Sequence, residues 1–419
     1  MILLKNATIV DPNSKLDGKK RDILIEKGKI KEIKTKIVAK AEVIAVEGVH
    51  VSPGWLDIGT QIGEPGYEHR EDLQSVSRAA AAGGFTGIAC FPNTKPVIHS
   101  KSEVLYIKNN TQDSLVDFFP LAAASQNAEG KEITEMLDMH HAGAVGFTDG
   151  RTSIQNSGLM MRALEYVKSF NGLILNQAHD HSVDLDGQMH EGMISTSLGM
   201  KGISNLSEEL MVQRDLYLAA YTDSRLHISN ISTVGAVELI RRAKKKGVAV
   251  TCSVAAINLL LDDSELTTFE SNYKVFPPLR SLEDIKALKK GLEDGTIDHI
   301  TSNHCPWEAE SKHLEFPYAE FGVIGLETSF AVAHTALGNK LTLSQLIDRL
   351  SIQPRKILGI ELPTVAEGAA ANLSLFLPKA TWTFEAKDIY SKSKNTPFVG
   401  RSFTGKVVGV INHGQYLLN

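Results

Sequence analysis

Four residues in the middle of the chain have the side chains that a metal ion prefers. His179 and His181 form a His-x-His pair, and Asp149 and His304 each follow an apolar run. On a strand, side chains two residues apart share one face, so Gln177, His179 and His181 point in the same direction. Imidazole nitrogens and carboxylate oxygens are the usual ligands of zinc. The sequence leaves two interpretations open, because the two histidines, Asp149 and His304 are either a zinc site or polar loop residues that bind no metal.

The sequence does not indicate cysteine chemistry. Cys305 stands next to His304, but neighbouring residues on a strand point to opposite sides, and no acid nearby would orient the histidine. The other two cysteines, Cys90 and Cys252, are far from Cys305 and from each other. An odd number of cysteines without a Cys-x-x-Cys pair argues against a disulfide framework and against a zinc knuckle. We therefore expect all three to be buried, small apolar side chains.

The composition is that of an ordinary globular protein. The 419 residues are 42% hydrophobic and 22% charged, and the formal net charge is −5. No basic stripe or tail is present that would neutralise a phosphate backbone. No apolar run approaches the roughly 18 residues of a membrane span, and the start of the chain turns polar too quickly for a signal peptide. The sequence thus predicts a cytoplasmic protein that binds neither nucleic acid nor membrane.

The elements that must position these residues alternate between short apolar runs and amphipathic helical stretches. This alternation is typical of a parallel sheet. Eight such runs favour a closed (β/α)8 TIM-type barrel over an open sheet, with the polar residues at its carboxyl end. The predicted strands span residues 55–58, 87–91, 117–121, 144–147, 173–176, 225–228, 248–252 and 299–301.

Both ends of the chain differ from the middle. The first fifty residues alternate and turn often, and the same β pattern returns from about residue 367. Neither end has enough strands to bury a face of its own. We therefore predict an α/β protein in which residues 1–52 and 366–419 form one small composite β-sandwich beside a barrel of residues 53–365.

About a dozen motifs are distributed over nearly the whole chain in a fixed order. They span residues 57–66, 80–86, 92–96, 146–150, 191–192, 199–203, 225–233, 277–280, 294–298, 324–328 and 391–398. Together they resemble the motifs of bacterial dihydroorotases, in the amidohydrolase superfamily. The resemblance implies the barrel, one or two zinc ions at its carboxyl end, and hydrolysis of the cyclic amide dihydroorotate or the reverse condensation of carbamoyl aspartate.

The positions that hold zinc in the family have changed in this chain. The family's ligands are replaced by residues that bind zinc poorly or not at all, namely Gly59, Gln61, Gln177, Asn230 and Asn303. Only Asp149 keeps an anionic group. Glycine has no side-chain donor atom, neutral amides are poor zinc ligands, and Asn303 cannot act as a general base. We therefore expect neither a catalytic residue nor a cofactor at these positions.

The substrate-binding positions of the family have changed in parallel. Asn93 is kept, whereas the arginine that clamps the substrate carboxylate in the family corresponds to Gly63. Two further polar residues are replaced by aromatic ones, Phe276 and Trp307. The loss of a bidentate clamp and the gain of two large rings should narrow and dehydrate the mouth of the barrel.

The resemblance and the changed positions predict a dihydroorotase-like protein of pyrimidine biosynthesis that has lost catalysis. Metal-free members of the family are partners of aspartate transcarbamoylase, so the resemblance implies a scaffold for that enzyme and also a homo-oligomer. Two alternatives stay open. One is an active cyclic-amide hydrolase with a rebuilt metal site of His179, His181, Asp149 and His304, and the other is a sensor that binds a pyrimidine precursor in the barrel.

Overall fold

The computed structural model describes residues 1–419 and shows a parallel barrel joined to a sheet made from both chain ends. The strands are β1 (Ile2–Ile9), β2 (Lys20–Glu26), β3 (Lys29–Lys34), β4 (Glu42–Ile44), β5 (His50–Pro53), β6 (Trp55–Thr60), β7 (Phe85–Cys90), β8 (Asp117–Ala122), β9 (Gly146–Phe147), β10 (Ile174–Asn176), β11 (Met189–His190), β12 (Gly202–Ile203), β13 (Leu226–Ile228), β14 (Val250–Ala255), β15 (His299–Thr301), β16 (Leu373–Thr383), β17 (Ser402–Asn412) and β18 (Gln415–Leu418). The helices are α1 (Leu73–Ala82), α2 (Lys101–Asn110), α3 (Met136–His141), α4 (Ser157–Lys168), α5 (Met193–Leu198), α6 (Asn205–Thr222), α7 (Val234–Lys245), α8 (Leu282–Glu293), α9 (Ala309–Lys312), α10 (Ser329–Leu337), α11 (Leu343–Ile347) and α12 (Gln353–Leu358).

Eight parallel strands form the barrel predicted from the sequence, in the order β6, β7, β8, β9, β10, β13, β14 and β15. The first and last strands meet through Gln61, whose N–H donates to the carbonyl oxygen of His304 over 3.1 Å. The Asp57 carboxylate also accepts the N–H of Ser302 over 2.7 Å. Every predicted strand is present, although some limits move by two or three residues, and β14 extends to Ala255.

The helices cover the outside of the barrel strands with their apolar faces. Helix α7 buries Val237, Ile240 and Ala243, as their spacing predicts. The start of α1 is fixed by a capping box between Asp72 and Ser75. The resulting core contains 74 buried residues in one cluster. Among these helices, none combines the length and the apolar composition that a membrane crossing requires.

Both chain ends contribute to one further sheet of eight strands. Strand β5 lies at the junction, because it pairs in parallel with β1 and antiparallel with β16. The two ends share a separate core of 17 buried residues, among them Ile23, Val51, Leu373 and Ile411. This sheet is the extra β domain expected beside the barrel. Strands from both ends of the chain thus complete one sheet and its core.

Candidate functional site

The carboxyl ends of the barrel strands open into a cavity of about 460 Å³. Loops that follow β9, β10, β14 and β15 form its walls. The residues that decide its chemistry are Arg151, His179, Asp184, Phe276 and Trp307. A volume of this size suits a small organic molecule. The cavity is therefore the candidate functional site, and it lies where sequence analysis places the polar residues.

At the end of β6, Gly59 has no side chain and the amide of Gln61 is engaged by a neighbour. Gly59 has φ +94°, and a Cβ added to it would lie 2.7 Å from the ring of Phe91. The side chain of Gln61 accepts a hydrogen bond from the thiol of Cys305, with 3.4 Å between Oε1 and Sγ. An aromatic ring thus occupies the space that a side chain at position 59 would need, and the amide of Gln61 is engaged with its neighbour.

Two asparagines, Asn230 and Asn303, follow the ends of β13 and β15 and bond to each other. The Thr301 hydroxyl donates to Asn230 Oδ1 over 2.7 Å, and Asn230 Nδ2 donates to Asn303 Oδ1 over 3.3 Å. Asn303 Nδ2 in turn donates to the carbonyl oxygen of Phe276 over 3.1 Å. Both asparagine oxygens accept hydrogen bonds, so this amide chain satisfies itself without an ion.

Gln177 is buried after β10, and its Nε2 has no hydrogen-bond partner. An amide N–H₂ group donates hydrogen bonds and does not bind a cation. The position therefore carries a free hydrogen-bond donor. It would favour a ligand with an acceptor atom, if one reached it from the cavity.

Asp149 and Asn93 hold one loop together. The carboxylate of Asp149 is buried and accepts hydrogen bonds from the N–H and the hydroxyl of Ser125, at 2.9 and 2.6 Å. Burial raises the pKa of Asp149, and the hydrogen bonds from Ser125 oppose that effect. Asn93 Nδ2 donates to the carbonyl oxygen of Asp149, and its Oδ1 accepts the N–H of Arg151, both over 3.1 Å. Both retained residues are thus engaged in bonds within the protein.

The four residues of the rebuilt zinc site are not brought together. His179 and His181 lie side by side, with ring centroids 5.0 Å apart. His304 is buried elsewhere, with Nδ1 accepting the N–H of Gly325 over 3.2 Å and Nε2 3.4 Å from Oε2 of Glu71. The structure holds no group of three or more histidine, cysteine or acidic side chains that is arranged to bind a metal ion.

The substrate-clamp position is closed by the backbone. A Cβ on Gly63 would lie 2.2 Å from the carbonyl oxygen of Glu71 and 2.9 Å from that of Tyr67. The aromatic replacements line the cavity, where Trp307 Nε1 donates to the carbonyl oxygen of Phe321 over 3.1 Å. The ring of Phe276 stands edge-on to that of His179 at 4.9 Å. Both aromatic side chains therefore form part of the cavity wall.

Sequence analysis missed Asp184, which lines the cavity. Its side chain is 3% exposed, and neither carboxylate oxygen accepts a hydrogen bond. The nearest cation-forming group is His179, whose Nε2 lies 3.2 Å from Asp184 Oδ1. The sequence signal that could have identified Asp184 is its position three residues after His181. A turn that follows a His-x-His pair brings a residue at this position back towards the two histidines. A buried carboxylate without a donor is poised to accept one from a ligand.

Two buried lysines near the cavity were also missed. Lys274 Nζ donates to Gln188 Oε1 at 2.5 Å and to the carbonyl oxygen of Phe316 at 2.8 Å. Lys312 Nζ donates to the carbonyl oxygen of Glu320 at 2.7 Å. Burial lowers the pKa of each lysine to about 8. No spacing in the sequence marks them, because their burial depends on the loop that folds over them.

The three cysteines are buried and have free thiols. Burial raises the pKa of Cys90 and of Cys252, so both stay protonated at neutral pH. Cys305 donates its thiol proton to Gln61 and has no carboxylate or imidazole partner among its hydrogen bonds. The geometry therefore supports no cysteine nucleophile.

Comparison with known proteins adds the family. Residues 48–236 match the family model described as dihydro-orotase-like. The chain is 42% identical to a dihydroorotase of Syntrophus aciditrophicus, over 99% of this chain and 98% of that protein. It is 40% identical to a dihydroorotase of Geotalea daltonii, again over 99% and 98%. This chain belongs to the dihydroorotase family. The resemblance inferred from the motifs is thereby confirmed.

Solved structures that resemble this dihydroorotase-family chain include hydantoinases. The L-hydantoinase of Arthrobacter aurescens superposes with a TM-score of 0.87 at 25% identity, covering 100% of this chain and 96% of that one. A D-hydantoinase superposes with a TM-score of 0.83 at 23% identity, covering 100% and 95%. The match extends over both the barrel and the sheet from the chain ends, which supports the predicted fold class.

The zinc that the dihydroorotase family implies does not fit the residues at this barrel mouth. The ring of Phe91 stands beside Gly59, where the first ligand would project. The amides of Asn230 and Asn303 bond to each other. Asp149 is left as a single carboxylate, and its oxygens are already bonded within the protein. One engaged carboxylate does not provide the three protein ligands of a catalytic zinc.

Proposed function

We propose that this dihydroorotase-family protein does not interconvert dihydroorotate and carbamoyl aspartate, and that it serves as a structural partner of aspartate transcarbamoylase. The observation that carries the proposal is the contact between Gly59 and Phe91, since a ring has taken the space of the first ligand. The closed backbone at Gly63 supports it, because no clamp for a substrate carboxylate fits there. Loss of ligands and of substrate contacts together removes both binding and catalysis.

Buried networks that include the motif residues Ser391, Ser232 and Arg280 hold the frame of the barrel, which is what a scaffold needs. Glu71 accepts hydrogen bonds from the hydroxyls of Ser75 and Ser391, and it faces His304. In a second buried network, Arg280 donates to the hydroxyl of Ser232 over 3.0 Å. These bonds fix the C-terminal segment and the loops above the barrel, so the outer surface keeps one defined shape.

The test is co-expression of the full chain with the aspartate transcarbamoylase of the same organism. We expect the two proteins to co-purify and to sediment as one complex, and the transferase to lose activity on heating more slowly when the chain is present. We also expect no turnover of dihydroorotate or carbamoyl aspartate above background, with or without added zinc. Separate sedimentation and an unchanged transferase would contradict the partner role.

Metal analysis of the purified chain distinguishes the alternative, an active hydrolase, from the proposed structural partner. The names of the full-length relatives favour it, since they are called dihydroorotases. Near-stoichiometric zinc, together with turnover that disappears in both His179→Ala and His181→Ala, would establish it and overturn the loss of catalysis. Gln112→Ala, an exposed change far from the mouth, is the matched control.

A second candidate function is a sensor of a pyrimidine precursor, and the buried Asp184 carboxylate, which accepts no hydrogen bond, favours it. Asp184 lines the cavity with Arg151, so a ligand with N–H donors at one end and an acid at the other has a partner for each. Dihydroorotate and carbamoyl aspartate have both features. We expect either compound to raise the melting temperature of the chain, and Asp184→Asn to reduce the shift. No shift with either compound would discard the sensor.

A further inference from the structure

A second cavity lies at the opposite end of the barrel, where the strands begin. Its volume is about 400 Å³. Asp117, the first residue of β8, and Arg355 of α12 line it on the side of the barrel. Asn372 and Asn412 line it on the side of the sheet that is made from both chain ends. The cavity therefore lies at the junction of the two sheets, and the length of the barrel separates it from the mouth.

Arg355 is a buried cation without a counter-ion. The residue is 3% exposed, and all its hydrogen bonds within the chain go to neutral oxygens. The other buried arginine, Arg280, has a carboxylate oxygen of Glu208 at 3.8 Å. Burial lowers the pKa of Arg355 to about 10, so its guanidinium stays charged at neutral pH. Because a buried charge without a partner is costly, this guanidinium is suited to an anion that enters the cavity.

One edge of the Arg355 guanidinium is left open. Nη1 donates to the carbonyl oxygens of Gly54 and Ser351, over 2.6 and 3.0 Å. Nη2 makes a single long bond of 3.4 Å to the hydroxyl of Thr86, and Nε makes no hydrogen bond within the chain. Packing does not seal this Nε, in contrast to the unbonded Nε of Arg349. Two neighbouring N–H groups of a guanidinium match the two oxygens of a carboxylate, so the Nε–Nη2 edge can hold one.

The amide of Asn372 adds a donor next to this edge. Its Oδ1 accepts the hydroxyl of Thr86 over 2.6 Å, and the same hydroxyl contacts Nη2 of Arg355. The bond to Thr86 fixes which end of the amide carries the N–H₂ group, and Nδ2 makes no hydrogen bond within the chain. One hydroxyl oxygen thus links the open guanidinium edge to a second group with unused N–H donors.

The other charged residues at this cavity favour a ligand with one negative charge. The carboxylate of Asp117 is engaged, because Oδ1 lies 2.8 Å from Nε2 of His413 and Oδ2 accepts Nδ2 of Asn412 over 3.2 Å. Glu361 is exposed at the rim. Two carboxylates beside one guanidinium repel a doubly charged phosphate more strongly than a carboxylate with a single charge.

We propose that this cavity binds the carboxylate of a small organic acid, which takes the Nε–Nη2 edge of Arg355 and a hydrogen bond from Asn372 Nδ2. Phe119 and Ile360 line the same cavity and offer apolar contact to the body of the acid. Arg355 and Asn372 belong to the barrel and to the sheet from the chain ends, so the bound acid connects the two parts. The site is remote from the barrel mouth and does not depend on the proposed function.

The test is a titration of the purified full chain, with its arginines labelled with heavy nitrogen, by sodium butyrate. We expect the Nε–H signal that is missing in Arg355→Lys to shift, with a dissociation constant in the millimolar range. Butyramide, the uncharged analogue, should not shift this signal, and inorganic phosphate should bind at least tenfold more weakly than butyrate. No shift with butyrate, or an equal response to butyrate and to butyramide or phosphate, overturns the proposal.

Two substitutions test the donors separately, with the rise in melting temperature on adding butyrate as the readout. Arg355→Lys keeps the positive charge but removes the two-point edge, and Asn372→Asp keeps the acceptor for Thr86 but replaces the N–H₂ group by a charged oxygen. Each should weaken butyrate binding at least tenfold. Arg78→Lys, exposed on α1, and Asp184→Asn, at the barrel mouth, should bind butyrate as the parent chain does. The melting temperature without butyrate shows that each variant folds, and butyrate binding that survives in a folded Arg355→Lys or Asn372→Asp overturns the proposal.

Discussion

At the scale of single residues, neighbouring side chains occupy the space beside two glycines at the barrel mouth. Beside Gly59 the ring of Phe91 takes the space of a side chain, and beside Gly150 a Cβ would lie 1.8 Å from Oδ1 of Asn93. Both glycines also have positive φ, at +94° and +68°. A larger side chain at either position therefore meets both a neighbouring side chain and an unfavourable backbone conformation.

Gly59→Ala tests this replacement directly. We expect it to lower the free energy of unfolding by about 1–3 kcal/mol more than a strained backbone alone, because overpacking against Phe91 adds to the cost of positive φ. Gly400→Ala is the control, since Gly400 has φ +83° and no atom within 4 Å of an added Cβ. Urea denaturation measures both. Equal losses of unfolding free energy in the two variants would show that the Phe91 ring moves aside without measurable cost.

At the scale of elements, strand β13 places His227 inside the barrel. The ring is fully buried, with Nδ1 2.9 Å from the Thr251 hydroxyl and Nε2 3.2 Å from the Ser253 hydroxyl of β14. Burial lowers the pKa of His227 to about 3, so the ring stays neutral when folded. These bonds use both ring nitrogens to join two neighbouring strands.

His227 makes the stability depend on pH. Below an ordinary pKa of about 6.5 the unfolded chain binds a proton that the folded chain refuses, so this contribution is lost as the pH falls from about 6.5 towards 3. Within this range, each pH unit lowers the free energy of unfolding by about 1.4 kcal/mol. His227→Gln should flatten the decrease, whereas His141→Gln, on an exposed part of α3, should not. Denaturant unfolding between pH 4 and 7 measures the free energy of unfolding of each variant. If it falls with pH equally in His227→Gln and in the parent chain, His227 does not cause the pH dependence.

The segment after β16 depends on one buried carboxylate. Glu71 accepts the hydroxyl of Ser391 and, over 3.2 Å, the N–H of Lys392. Glu71→Gln places an amide N–H₂ group, a hydrogen-bond donor, against the hydroxyl and the N–H that the carboxylate accepts. We therefore expect the free energy of unfolding to fall by about 2–3 kcal/mol and hydrogen exchange in residues 391–395 to become faster. Glu68→Gln, exposed in the same loop, is the control. Unchanged exchange in Glu71→Gln would show that other bonds hold the segment.

At the scale of the whole molecule, the two chain ends and the barrel are one structure. Strand β17 lies between β16 and β18, and it contributes Val408 and Ile411 to the core shared with β1–β5. Asn419 Nδ2 reaches the barrel and donates to the carbonyl oxygen of Ala82 over 2.8 Å. The last residues of the chain thus stabilise the first ones.

Deleting residues 402–419 should therefore unfold the N-terminal strands as well. Each buried aliphatic side chain that is removed costs about 1.5–3 kcal/mol, and several are removed at once. We expect β1–β3 to lose protection from hydrogen exchange. Deleting only residues 415–419 removes the edge strand β18 and should leave that protection largely in place. Persistent protection of β1–β3 in the longer deletion would show that the N-terminal strands fold independently.

The sequence by itself determined the barrel and the family. Apolar runs and turn residues are local signals, and the identity of a residue at a motif position needs no coordinates. The residue types of Gly59 and Asn303 were known for that reason. The limits of β14 and the burial of Asp184 were less accessible, because strand ends depend on neighbours and burial depends on packing.

Only the tertiary structure decided which side chains lie against each other at the barrel mouth. Phe91 lies beside Gly59, Asn230 bonds to Asn303, and His304 turns towards Glu71, although these pairs are distant in sequence. Their contacts are set by side-chain rotamers and by the closing of the barrel, which no local pattern encodes. The physical reason is that the chemical type of a side chain is set by one residue, whereas the space around that side chain is set by all the residues that pack there.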